Sequence, residues 1–219
     1  MFLIVGLGNP GKKFQNTRHN IGRLVINSWQ LASRFLDFRI EKRLNALISK
    51  GVLDKKQIIL ALPETFMNNS GKAVKSLTTR YPPEARLAKG GKIPARGETP
   101  AVGEIRQGRR QRRQNTSLIV VHDDIDLPLG TVRISIDRGS AGHKGVESII
   151  KELGTKNFIR VRIGICPQDF KPKGVDKFVL EKFNKKEEGK IKEIIKKSFL
   201  VIEMIIKEGI EKARQKYNQ

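Results

Sequence analysis

Three stretches of the chain gather residue types able to do acid–base or polar-binding chemistry. The first runs from Gly6-Leu7-Gly8-Asn9-Pro10-Gly11 to Thr17-Arg18-His19-Asn20 and follows the short apolar run Phe2 to Val5. A buried strand feeding a glycine-rich turn is a common place for a site, and Asn9, Arg18, His19 and Asn20 supply more polar groups than a loop requires. The second is Thr65-Phe66-Met67-Asn68-Asn69-Ser70-Gly71, and the third is His122-Asp123-Asp124-Ile125-Asp126-Leu127-Pro128. Each comes just after an apolar strand-like run. A histidine placed where a helix is about to start, as His19 is, reads equally as a polar helix-start residue or as an acid–base group whose unperturbed pKa lies near neutrality. Asparagines such as Asn9 and Asn68 offer both a donor and an acceptor, which suits them to holding an amide or a carbonyl under attack.

Other chemistries fit these residues less well. Gly6, Gly8 and Gly11 match the spacing of a dinucleotide fingerprint, but that motif opens a helix within its glycines. Here Asn9-Pro10-Gly11 is a turn signature, and the helical pattern begins only near Asn20. His122 with Asp123, Asp124 and Asp126 invites a metal reading. A hard cation wants several converging oxygens, and no second acidic or histidine cluster completes a shell. Asp126, before Leu-Pro, reads as a turn organiser. Cys166, the single cysteine, has no disulfide partner and no nucleophile pattern around it. The expectation is a site without metal or cofactor.

With the three stretches and the loop Gly139-Ser140-Ala141-Gly142-His143-Lys144-Gly145 in order, the chain resembles the bacterial-type peptidyl-tRNA hydrolase family over nearly its whole length, from Phe2 to about Tyr217. That resemblance implies hydrolysis of the ester joining a peptide, or an N-blocked aminoacyl group, to the terminal ribose of tRNA. It implies His19 as the base that activates water and Asp123 as the carboxylate that orients it. It also implies that Asn9 discriminates blocked from free aminoacyl groups, and it places Phe66 next to the tRNA end. Asn68, Phe14, Met67, His143, Lys144 and Arg133 are further candidates for contact with substrate or with the acceptor end and CCA terminus of the tRNA. Two positions depart from the family. Phe14 stands where it usually has tyrosine, keeping a ring that can stack on the terminal adenosine. Lys144 stands where it has asparagine, putting a cation where an amide orients water or substrate.

The elements that must position these groups follow from periodicity. Apolar residues at Ile21, Leu24, Val25, Leu31 and Phe35 predict an amphipathic helix from Asn20 to Leu36. Leu44 to Val52 and Gln57 to Ala61 read as a hairpin around Asp54, ended by Pro63. A helix from about Gly71 to Arg80 follows, with Ser70 or Asn69 as its cap. Leu118 to Val121 is an apolar central strand that delivers His122 and Asp123 at its end. Val132 to Ile136 and Phe158 to Ile165 are further strands, with a helix to about Leu153 between them. Val175 to Phe183 reads as a short helix, and Lys186 to Lys216 as one long amphipathic helix. The fold expected is a single α/β domain: a mixed, mostly parallel, twisted sheet with helices on both faces in three layers.

The formal net charge is +22, which points to a polyanionic partner. Between Arg80 and Asn115 ten Lys/Arg stand against three Glu, so that stretch carries +7 and the remaining chain +15. Residues 81 to 115, rich in Pro, Gly and Arg, read as a disordered basic insertion. With aromatics at only 6%, phosphate contacts should dominate over base stacking, and binding should depend strongly on salt. Arg138 and Lys177 add to the basic surface. No apolar run is long enough to suggest a membrane span, and the lone cysteine fits the reducing cytoplasm, so a cytoplasmic monomer acting on peptidyl-tRNA is expected. The rival from another class is an RNA-binding protein on the same fold that does no hydrolysis.

Overall fold

The computed structural model describes residues 1–83, 115–167 and 172–219. Strand β1 (Phe2–Gly6) is buried on both faces. Its residues alternate between two cores: Ile4 packs with Ile21, Val25 and Trp29, whereas Leu3 and Val5 pack with Val74, Leu77 and Ile149. A strand of continuous apolar residues demands cover on both sides. Helix α1 (Ile21–Ala32) with α5 (Glu188–Glu208) and α6 (Ile210–Tyr217) supplies one layer, and α2 (Ser70–Arg80) with α3 (Lys144–Leu153) supplies the other.

The remaining strands are β2 (Arg39–Glu41), β3 (Ala46–Leu53), β4 (Lys56–Pro63), β5 (Asn115–Pro128), β6 (Val132–Ile136) and β7 (Phe158–Cys166), in the order β2-β3-β4-β1-β5-β7-β6. The four inner strands β4, β1, β5 and β7 run parallel, and the pairs β2–β3, β3–β4 and β6–β7 are antiparallel. The mixed sheet with helices on both faces is as expected. Its pairings divide evenly between the two senses, because the antiparallel run β2–β3–β4 borders the parallel centre on one side and β6, returning antiparallel to β7, closes the other. The β3–β4 turn uses Asp54 and Lys55 at φ 50° and 59°, the backbone of a two-residue hairpin loop.

Other differences are local. Helix α1 stops at Ala32, because the chain turns back at Ser33 so that the Phe35 ring lies over Gly51 and meets Trp29 edge-on at 5.4 Å. Leu31, expected in the core, is 73% exposed. The C-terminal helix is two helices broken at Gly209, whose φ of 94° a continuous helix cannot hold. Between Val175 and Phe183 only α4 (Val175–Phe178) is helical, and α2 has no side-chain cap from Asn69. The disordered-insertion expectation falls on residues 84–114, outside those described. Its flanks, Tyr81 and Asn115, belong to the ordered body: Tyr81 is buried beneath α2, and Asn115 pairs with Phe158.

Candidate active site

Parallel strands present their carboxyl ends on one edge of the sheet, and the loops leaving them form a crevice there. The loop after β1 carries Asn9 and His19, the loop after β4 carries Met67 and Asn68, and β5 itself carries Asp123. A glycine at position 22 lets α1 sit unusually close to β5. A Cβ there would lie 2.2 Å from the carbonyl oxygen of Val121 and 3.0 Å from the Leu7 nitrogen. Gly6 faces the Gly22 carbonyl in the same way, at 2.6 Å. The glycines that imitate a nucleotide fingerprint thus include one that serves helix-to-strand approach, and His19 is delivered directly onto the strand bearing Asp123.

His19 Nδ1 lies 3.0 and 2.9 Å from the two carboxylate oxygens of Asp123. Because a carboxylate only accepts, Nδ1 carries the hydrogen and Nε2 is left with its lone pair. The same carboxylate accepts a second bond, from His143 Nε2 at 2.9 Å. The tautomer of His143 is fixed from its other side, since Nδ1 accepts the backbone N–H groups of Gly145 and Val146 at 3.1 and 3.2 Å and so caps α3. Both imidazoles therefore donate to one buried carboxylate. Burial alone would push the Asp123 carboxyl up; the charges and hydrogen bonds of His143 and His19 outweigh it and hold Asp123 far below the ordinary carboxylate range. The rings of His19 and His143 stand 5.0 Å apart.

His122, next in the chain, turns away from this carboxylate. Its Nδ1 lies 2.6 Å from the Asp123 carbonyl oxygen. Burial first, then neighbouring His143, drives its pKa well below the usual histidine value, against the opposing pull of Asp123. The acidic stretch does not converge into a cluster: Asp124 accepts from Arg162 Nε at 2.6 Å and from the Asp126 amide at 2.9 Å. Among the described residues, the group whose donor atoms do converge, within 4.8 Å of one another, is His19, Asp123 and His143. A metal there would have to displace both N–H donors from Asp123.

Asn9 is held by a residue for which the sequence reading assigned no role. Asn20 Oδ1 accepts the Asn9 amide N–H at 2.8 Å, and Asn20 Nδ2 donates to the Asn9 carbonyl at 2.9 Å. The side-chain oxygen of Asn9 accepts the Met67 N–H at 2.8 Å. That fixes the orientation of its amide and leaves Nδ2 as the donor free for a ligand. A cleft of about 420 Å³ adjoins it, lined by Asn9, Lys12, Gln15, Asn20 and Arg23 among others. The polar crowding at Asn20 was visible in the sequence; its pairing with a backbone eleven residues back was not.

The other expected contacts divide. Phe66, 55% exposed, and the half-buried Phe14 meet edge-on at 6.2 Å as an aromatic platform. Asn68 is exposed on the same loop, and Met67 is buried with its sulfur against Gly145. Lys144 opens α3 and pairs with Asp176 of α4 at 2.7 Å. Arg133 is engaged elsewhere: its guanidinium caps the C-terminal end of the chain at the carbonyls of Tyr217 and Gln219. Arg138 and Lys177 are exposed. Arg18, buried beneath the site loop, binds Glu187 with both terminal nitrogens at 2.9 Å and stacks on Phe178 and Phe183. With the backbone bond from His19 N to Val179 O at 2.7 Å, it ties the α4 segment to the loop bearing His19.

The family model described as Peptidyl-tRNA hydrolase matches residues 3–86 and 100–219, leaving out part of the basic stretch. A curated protein named peptidyl-tRNA hydrolase from Thermodesulfovibrio yellowstonii is 37% identical over 219 residues, covering all of both chains. One of the same name from Aquifex aeolicus is 38% identical and covers 99% of this chain and 96% of its own. A solved structure of peptidyl-tRNA hydrolase from Acinetobacter baumannii superposes with a TM-score of 0.78 over 100% of this chain and 94% of that one. At 24% identity it speaks for the fold.

Proposed function

The chain belongs to the peptidyl-tRNA hydrolase family, and from that premise we propose that it releases the peptide of peptidyl-tRNA by ester hydrolysis with His19 as general base. The observation that carries the reading is the buried His19–Asp123 pair. An ester is an activated acyl group, so one positioned base acting on water is sufficient chemistry. His19 Nε2 takes a proton from water as its oxygen bonds to the ester carbonyl carbon. Asp123 stabilises the imidazolium that forms. When the tetrahedral adduct collapses, the ribose oxygen leaves and takes the proton back from His19, giving a tRNA hydroxyl and a peptide carboxylic acid that loses its proton to solvent.

Asn9 and Asn68 hold the substrate. With its oxygen committed to Met67, Asn9 presents an N–H, which suits the carbonyl of an acylated α-amino group. A free α-ammonium has only donors to offer and would be desolvated against another donor. The cleft beside Asn9 gives the rest of the peptide room, and Phe14 with Phe66 gives the terminal adenosine a surface for stacking. No described helix is long and apolar enough to cross a membrane. We place the protein in the cytoplasm, acting as a monomer on peptidyl-tRNA lost from ribosomes. A binding-only role leaves the buried acid–base pair without a task.

The test is release of label from N-acetylaminoacyl-tRNA and from unblocked aminoacyl-tRNA by wild type and His19→Ala. Wild type should act selectively on the blocked substrate, and the variant should lose about 10²- to 10⁴-fold in rate. Tight tRNA binding without release by either protein would overturn the reading.

A further inference from the structure

Lys144 and Asp176 form an ion pair whose placement has no evident structural purpose. Lys144 follows His143, which is bonded to Asp123, and so its backbone is fixed at the rim of the catalytic group. Asp176 belongs to α4, which Arg18 and the His19–Val179 bond tie to the opposite wall. Their side chains, 59% and 81% exposed, meet at 2.7 Å and so bridge the rim from one wall to the other. Lys144 chiefly, and His19 more weakly, hold the Asp176 carboxyl below its ordinary value, consistent with a position near the base. A pair this exposed is screened by solvent and adds little to stability, so it is readily exchanged for a better partner. The molecule as a whole draws in a polyanion.

Resting on the hydrolase reading above, we propose that Lys144 is a substrate contact that Asp176 occupies in the free protein: on binding, a phosphate of the 3′-terminal nucleotides of the tRNA takes the ammonium over from the carboxylate. A phosphodiester suits the exchange because it carries a full charge shared by two non-bridging acceptor oxygens, and Lys binds it as a compact point charge. Asp176 then has two effects on affinity. It occupies Lys144, which an incoming phosphate must reclaim, and it sets a negative charge in the path of a polyanion. Only the first passes through Lys144.

The experiment measures kcat and KM for N-acetylaminoacyl-tRNA over a range of salt with wild type, Lys144→Asn, Asp176→Asn and the double variant, together with binding of deacylated tRNA and thermal unfolding. Lys144→Asn should raise KM several-fold, weaken deacylated tRNA binding by a similar factor, and reduce the slope of log KM against log salt by about 0.7–1. Asp176→Asn should lower KM in the wild type and do so much less in the Lys144→Asn background. An unchanged KM and salt slope in Lys144→Asn would overturn the proposal. So would an effect seen with acylated but not deacylated tRNA, which would move the contact to the ester. Equal losses of affinity and unfolding temperature in both single variants would reduce the pair to a structural staple and overturn it too. All of these outcomes leave wild-type hydrolysis intact, whereas failure of the wild type to hydrolyse the substrate would sink the underlying reading.

Discussion

At the scale of single residues, the site works by committing every ring nitrogen of His19 and His143 but one. Asp123 takes an N–H from His19 and another from His143, and His143 is held in that tautomer by the backbone it caps. The unshared lone pair falls on His19 Nε2, where a base is needed. Part of this was legible: the residue types of His19 and Asn9 are open to acid–base and amide-binding work, and the family resemblance supplied Asp123 as the orienting carboxylate. The part played by His143 was not, because a histidine in a glycine-rich loop gives no hint that its two nitrogens serve a helix start and a carboxylate at once. His122 carries a consequence for stability. The folded protein keeps it neutral, whereas the unfolded chain takes up a proton below about pH 6.5. Stability is therefore lost as pH falls from there toward the lowered folded value, with a slope approaching about 1.4 kcal/mol per pH unit for this one group. His122→Asn keeps a donor for the Asp123 carbonyl and cannot titrate. Urea unfolding should show a flatter decline from pH 7 to pH 5 in the variant; an identical decline would refute the buried-neutral assignment.

At the scale of elements, position depends on how close α1 comes to β5. Gly22 allows this, and its neighbour in the approach is backbone, which cannot swing aside as a side chain would. Gly22→Ala should cost about 1–3 kcal/mol by overpacking and reduce turnover further by lifting His19 from Asp123. Leu31→Ala on the exposed side of the same helix should be near neutral in both thermal unfolding and turnover. A Gly22→Ala protein as stable and active as wild type would contradict this account. Strand and helix existence could be read from periodicity, because burial on both faces of β1 and on one face of α1 leaves a clear apolar pattern. Breaks were harder. The apolar stripe runs on through Gly209 from Ile206 to Ile210, and only the backbone reveals that its φ ends one helix and starts another. The three-residue strand β2, with all its residues exposed, has no core face to advertise it.

At the scale of the whole molecule, the candidate site and the junctions of the basic stretch lie at different ends of the body. The site lies at the carboxyl ends of the parallel strands, whereas the basic stretch joins the body at Tyr81 and Asn115, at the C-terminal end of α2 and the start of β5. Helix α2, eleven residues long, leaves the site loop at Ser70 and carries the chain about 16 Å along its axis before that junction. The +15 charge outside that stretch favours a polyanionic partner by itself. The central claim is that Asp123 acts through the tautomer of His19. Single-turnover hydrolysis of N-acetylaminoacyl-tRNA by Asp123→Asn at saturating enzyme, with tRNA binding measured alongside, tests it most directly. An asparagine can present its N–H to His19 Nδ1 and leave the proton on Nε2. The rate should therefore fall by about 10²- to 10⁴-fold with binding nearly unchanged; a variant that still hydrolyses within a few-fold of wild type would contradict the claim.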